Sequence, residues 1–192
     1  MLTEREKMLA GEIYDSRDPE LIGMYHNAKN LLEKFNNAPS TEAEFKFNVL
    51  KDLFKSIGDG VWIEKYFSCD YGKNISIGKN TFINYNCVFI DDNFITIGEN
   101  VLIGPAVQIY TATHPINPLE RIKTNSSNGA TYTTFTKSVS IGNNSWIGGG
   151  AIICPGVTIG DNTVIGAGSV VTKSIPSNCV AYGDPCKVVE RI

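Results

Sequence analysis

Aliphatic residues recur at every sixth position along most of this chain. Ile77, Ile83 and Phe89 form one run, and Ile97, Ile103 and Ile109 a second. Ile141, Ile147, Ile153, Ile159, Ile165 and Val171 form a third. The units read "ISIGKN", "VLIGPA", "SWIGGG", "VTIGDN" and "TVIGAG", an aliphatic residue often followed by glycine and then by polar or small residues. A period of six is neither the 3.6 of a helix nor the alternation of a strand. It marks a stacked repeat, in which no unit can bury its apolar face alone. The expected structure is a prism of short parallel strands, with one repeat per side and three per coil. Each aliphatic residue then points inward onto its counterpart eighteen residues on, about 4.8 Å along the axis. Glycine and asparagine suit the corners. The twelve units make about four coils, extended at either end over roughly residues 63–185.

Residues 1–60 follow a different pattern, which predicts a helical cap on a prism domain spanning 61–192. Leu21, Tyr25, Ala28, Leu31, Leu32 and Phe35 fall at helical spacing, and His26 lies among them as a structural residue. A second helix is expected from Thr41, which with Glu44 forms a capping-box signature. Its apolar face is Phe45, Val49, Leu50, Leu53, Phe54 and Ile57, and Gly58 suits its end.

The period fails twice. From Phe89 to Ile97 the step is eight, an excess centred on "IDDNF". From Ile109 to Ile141 it is 32, so a polar segment of residues 112–138 leaves the prism. Long loops extruded from a rigid scaffold are commonly functional. His114 stands at the root of this loop, and Pro115 holds its backbone in an extended conformation.

Composition narrows the class. The chain is 42% hydrophobic and 19% charged with a net charge of −3, which gives no electrostatic case for nucleic acid or an anionic membrane. No apolar run approaches the roughly 20 residues that span a bilayer, and the charged start lacks the apolar core of a signal peptide. The five cysteines, Cys69, Cys87, Cys154, Cys179 and Cys186, include no CxxC pair. Unpaired thiols in a reducing cytoplasm are the expectation.

Several stretches resemble the maltose and galactoside O-acetyltransferase family of hexapeptide-repeat acyltransferases. They are "EKMLAGEIYDSRDPEL", "CDYGKNISIGKNTFINYNC", "IYTATHPI", "IGNNSWIGGGAIICPGVTIGDNTVIGAGSVVTKSIP" and "GDPCKVV". The resemblance implies a mainly β fold, the left-handed parallel β-helix, with an N-terminal helical cap and one extruded loop. It also implies transfer of acetyl from acetyl-CoA to a sugar hydroxyl, with no metal, by a cytoplasmic homotrimer whose sites lie between subunits. His114 matches the family's general base and Asn84 its active-site asparagine. Asp70, Asp92, Ser16 and the adjacent Asp15 match the acceptor side, with Asp91 a competitor of Asp92. Trp146, Gly149, Ala167, Thr172, Lys173 and Lys187 match the donor side. At a second basic position of the family this chain has Glu190, with Arg191 beside it as the substitute. Residues 119–138 form a longer loop than in maltose-type members, which leaves a different hydroxyl acceptor, including a xenobiotic, as an alternative. The γ-type carbonic anhydrases share the prism but need three histidines around zinc, and this chain has two. A non-catalytic β-helix used in assembly gives no reason for His114, Asn84 and the Gly-Asp-Pro-Cys tail to occur together.

Overall fold

The computed structural model describes residues 2–123 and 129–192. It is a three-sided coil of parallel strands capped by helices. The first face stacks Ser56–Ile57, Ile75–Ile77, Ile95–Ile97, Val139–Ile141 and Thr158–Ile159. The second stacks Trp62–Ile63, Phe82–Ile83, Leu102–Ile103, Trp146–Ile147 and Val164–Ile165, then the hairpin Cys179–Gly183 and Cys186–Arg191. The third stacks Ser68–Cys69, Val88–Ile90, Gln108–Tyr110, Ile152–Ile153 and Val170–Val171. The six-residue aliphatic set lies inside: Ile83, Phe89, Ile109, Ile147 and Ile153 are fully buried. Burying each such side chain contributes about 1.5–3 kcal/mol.

The corners explain the polar letters of the repeat. The edge between first and second faces carries Asn80, Asn100, Asn144, Asn162 and Asn178, all left-handed with φ of 53–58°. Asparagine tolerates that conformation, and here the Nδ2 of each of the first four donates to the Oδ1 of the next coil's asparagine at 2.9–3.2 Å. The glycine that follows the inward aliphatic residue has another cause. A Cβ at Gly78 would lie 2.5 Å from the carbonyl carbon of Gly98, and one at Gly148 2.4 Å from the amide of Ala167. Successive coils stack too closely there for a side chain.

The coil step departs from the expected eighteen in the early coils. Cys69 pairs with Phe89 and Phe89 with Ile109, twenty residues apart, and only later does Ile153 pair with Val171 at eighteen. The excess at "IDDNF" therefore has a twin one coil earlier, between Cys69 and Ile77. The prism also begins earlier than residue 63, at Ser56.

The cap consists of α1 (Glu4–Ala10), α2 (Pro19–Asn37) and α3 (Ala43–Leu53). The second of these follows its apolar pattern, with Leu21, Ala28, Leu32 and Phe35 buried. Tyr25 and His26 do not: both are exposed and meet edge to face, so His26 is a surface residue rather than a core one. The expected capping box at Thr41 and Glu44 is absent. The residue before α3 is Glu42, with no side-chain cap. A capping box forms instead at α1, between Thr3 and Glu6. The third helix stops at Leu53, Ile57 belongs to the first strand, and Gly58 packs against Lys79. One apolar cluster runs from Leu32 and Leu50 in the helices through the whole prism to Ala181. The second and third helices thus close its N-terminal end, and the antiparallel hairpin closes the other.

Candidate active site

The site is built where the coil is longest. Three successive coils bulge at the edge between third and first faces: residues 70–74, residues 91–94 and the loop 112–138. The middle bulge fastens the other two. Asp91 is fully buried, and its Oδ1 accepts from the amides of Asp70 and Tyr71 at 2.9 and 2.8 Å. Asn93 donates to Met8 and Leu9 carbonyls of α1 and to Thr136 Oγ1 of the loop base. Burial pushes the Asp91 carboxyl up to about 8.

Asp92, its neighbour, faces the other way. The Tyr14 hydroxyl donates to its Oδ1 at 2.6 Å, while its Oδ2 is buried without a hydrogen-bond partner. Burial raises this carboxyl to about 6, against the opposing bond from Tyr14. Asp92 lines a pocket together with Ser16, Tyr25, Asp70, Tyr71 and Tyr132. Lys29 neutralises Asp70 at 3.3 Å and also donates to the Cys69 carbonyl. The geometry thus separates the two competing aspartates: Asp91 holds backbone and Asp92 meets the pocket. Asp15 departs from its expected place. Its Oδ1 accepts from the amides of Arg17 and Ala130, so it pins the loop to the cap.

His114 follows the short strand Ala112–Thr113, which pairs antiparallel with Phe135–Thr136 at the base of the loop. The loop then forms a one-turn helix, α4 (Pro118–Arg121), whose Arg121 donates to the Pro115 and Ile116 carbonyls. The part of the lengthened loop at 124–128 lies outside the described residues. His114 Nδ1 is 2.8 Å from the Thr133 carbonyl oxygen. A carbonyl only accepts, so Nδ1 carries the proton in neutral imidazole and Nε2 keeps its lone pair. The ring meets Tyr132 edge to face, with centroids 5.5 Å apart. The Tyr132 hydroxyl in turn lies 3.2 Å from Ser16 Oγ, linking histidine to pocket. Tyr14, Tyr71 and Tyr132 were not singled out in the sequence. The step of eight from Cys69 to Ile77 was the signal that would have located Tyr71.

Asn84 lies elsewhere. It ends the strand Phe82–Ile83, at the edge between second and third faces, with its Oδ1 accepting from the Tyr85 amide at 2.8 Å. Gly149 and Ala167 share that edge on later coils. Trp146 stands on the second face, 54% exposed, above Leu102. Thr172 and Lys173 are exposed on the histidine's edge, two coils beyond the loop. Lys187 and Arg191 lie on the terminal hairpin. A register shift there sets Lys187 opposite Tyr182, Glu190 opposite Val180 and Arg191 opposite Cys179. Strand alternation on the partner then puts Glu190 on the side of Lys187 and Arg191 on the other. Arg191, the expected substitute for a basic residue at position 190, thus lies on the opposite face of the hairpin from Glu190. One chain brings together His114, Asp92, Asp70 and Ser16, and keeps them apart from Asn84, Gly149 and Ala167.

Among the described residues no group of three or more His, Cys, Asp or Glu could hold a metal ion, and no helix is long and apolar enough to cross a membrane. All five cysteines are free thiols. A coil of six-residue units with a histidine at the root of its extruded loop defines a class, the hexapeptide-repeat acyltransferases of the left-handed β-helix fold. Residues 7–58 match the maltose acetyltransferase hexapeptide capping motif, and residues 138–173 the bacterial transferase hexapeptide of six repeats. The chain belongs to the maltose and galactoside O-acetyltransferase family of these enzymes. The galactoside O-acetyltransferase of Escherichia coli K12 is 41% identical over 187 residues, 97% of this chain and 88% of that one. The crystal structure of a maltose O-acetyltransferase from Clostridium difficile 630 superposes with a TM-score of 0.93 at 47% identity, covering 100% of this chain and 98% of that one. A galactoside acetyltransferase in complex with coenzyme A gives 0.91 at 39% identity, covering 100% and 92%.

Proposed function

We propose that this enzyme transfers the acetyl group of acetyl-CoA to a hydroxyl of a sugar, with His114 as general base. The observation that carries this is the Nδ1 bond to the Thr133 carbonyl, which leaves Nε2 as the base beside a pocket of hydroxyl-binding carboxylates. Nε2 takes the proton of the acceptor hydroxyl as that oxygen attacks the thioester carbonyl. The new C–O bond forms, the C–S bond breaks, and the proton returns to the departing thiolate to give free CoA. Asp92 Oδ2 and Asp70 accept hydrogen bonds from other hydroxyls of the acceptor. The Asn84 amide of a second subunit steadies the developing oxyanion. The CoA-bound relative supports the donor assignment. Gly149 and Ala167 offer a thin surface for the pantetheine arm, Trp146 a flank, and Lys173 and Lys187 charge for the phosphates.

The division of the site between two edges supports a homotrimer. Both edges flank the third face, so a closed three-fold assembly that turns this face inward sets His114 of one chain against Asn84 of the next. The asparagine edge then points outward.

A thiol-release screen of the purified enzyme over mono- and disaccharides tests the proposal. We expect release with acetyl-CoA and at least one sugar, and His114→Ala should lower turnover about 10²–10⁴-fold. Wild-type turnover in that variant would refute the base assignment, and release confined to non-sugar hydroxyls would refute the acceptor.

A further inference from the structure

A second cavity, of about 230 Å³, opens at the N-terminal end of the asparagine edge. It lies between α2, α3 and the first coil, and Phe35, Lys46, Phe47, Leu50, Trp62 and Ile63 form most of its wall. None of these residues belongs to the transfer site, which stands on another edge. Lys46 is the anomaly. It is only 8% exposed, yet among the described residues its ammonium has neither a carboxylate nor a hydrogen-bond acceptor. Its contact is the face of the Phe35 ring, 4.7 Å away. A cation–π contact of this kind stabilises only weakly and leaves the ammonium without an anionic partner. A largely covered lysine without a carboxylate partner, at the wall of an apolar cavity, calls for an anion with an apolar body.

We propose that this cavity binds a small amphipathic monocarboxylate, its ring or short chain among Phe35, Phe47, Leu50 and Trp62 and its carboxylate on Lys46. Three features select that class. The walls are apolar, so a sugar or nucleotide finds too few polar partners. Asp59 lines the same cavity, so a doubly charged phosphate is disfavoured against a single negative charge. The volume falls below the roughly 300–1,000 Å³ of drug-sized sites, which limits the ligand to one ring or a short chain. The asparagine edge points away from the axis of a closed trimer, so the mouth stays open in the assembly. The inference does not depend on the transfer reaction.

Octanoate, octanol and octylamine serve as probes of the full-length protein, with saturating CoA to occupy the donor site. Saturation-transfer NMR and calorimetry read the binding. Octanoate should bind in the presence of CoA, and octylamine should not. In Lys46→Met, which keeps the length and apolar stem, octanoate should weaken about ten-fold or more while octanol holds its affinity. Octanoate that fails to bind the wild type, octylamine that binds as well, or unchanged octanoate affinity in Lys46→Met would each overturn the proposal. The comparison of octanoate with octylamine needs only the wild type, so the test survives a variant that does not fold.

Discussion

Asp91 and Asp92 have the same side chain, adjacent positions and opposite fates. Asp91 turns inward and is consumed by the amides of Asp70 and Tyr71. Asp92 turns toward the cap, with one oxygen held by Tyr14 and one buried without a partner. Both resist ionisation, since burial raises Asp91 to about 8 and Asp92 to about 6. The sign of the linkage follows. Below the ordinary value of 3.8 both folded and unfolded chains hold these protons. Above it the unfolded chain releases them first, so stability falls as pH rises, through about 6 for Asp92 and through about 8 for Asp91. Asp91→Asn keeps one oxygen for both amides and removes the charge. Urea titrations at pH 5 and pH 8 should show a smaller loss in this variant than in the wild type. Equal losses would mean that Asp91 ionises freely in the fold. In the sequence both residues were visible as part of an excess, but the geometry that sets Asp92 at the pocket and Asp91 on the backbone was not. That choice depends on the amides of the coil below, whose own bulge went unnoticed.

At the scale of elements, the six-residue period was legible because each aliphatic position is fixed by packing on the next coil. The glycine beside it carries as much information. Ala at position 78 would drive a Cβ into the Gly98 backbone at 2.5 Å, and no flexible side chain can yield there. We expect Gly78→Ala to cost about 2 kcal/mol or more in urea unfolding. Gly23, in α2, has nothing within 4 Å of an added Cβ. Gly23→Ala should instead stabilise by about 0.5–1 kcal/mol through helix propensity. A loss at both positions, or at neither, would reject the stacking account. Helix boundaries were less legible. Thr41 and Glu44 have the letters of a capping box, but the chain turns into α3 at Glu42. Ile57 continues the helical pattern yet pairs with Ile77, because an aliphatic residue at that position serves a coil as well as a helix. Tyr25 and His26 sit at helical spacing on a surface the cap does not cover.

At the scale of the whole molecule, a single chain carries its candidate site residues on two edges that do not meet. Nothing in the spacing of His114 and Asn84 reveals this. It follows from the number of sides on the prism, and therefore from which edge each residue reaches. Sedimentation equilibrium should give three times the 21.0 kDa chain mass. A stable monomer with full turnover would refute a shared site. The extruded loop shows a similar limit. Its length could be counted in the sequence, but its anchorage through Asp15 and Asn93 depends on contacts from the cap and the neighbouring coil.

The closed ends of the prism have a further consequence. Every internal coil presents its backbone to the coil above and the coil below, and nothing in the repeat itself says where to stop. Without the helices at one end and the reversed strand Cys186–Arg191 at the other, molecules could add to one another along the axis as further coils. The antiparallel turn of the last strand is a barrier to polymerisation. A chain ending at residue 178 keeps its helical cap and should therefore pair through its one uncovered end, doubling the mass of the assembly in sedimentation, and a truncated protein that keeps the full chain's mass at the same concentration would show that the tail has no such duty.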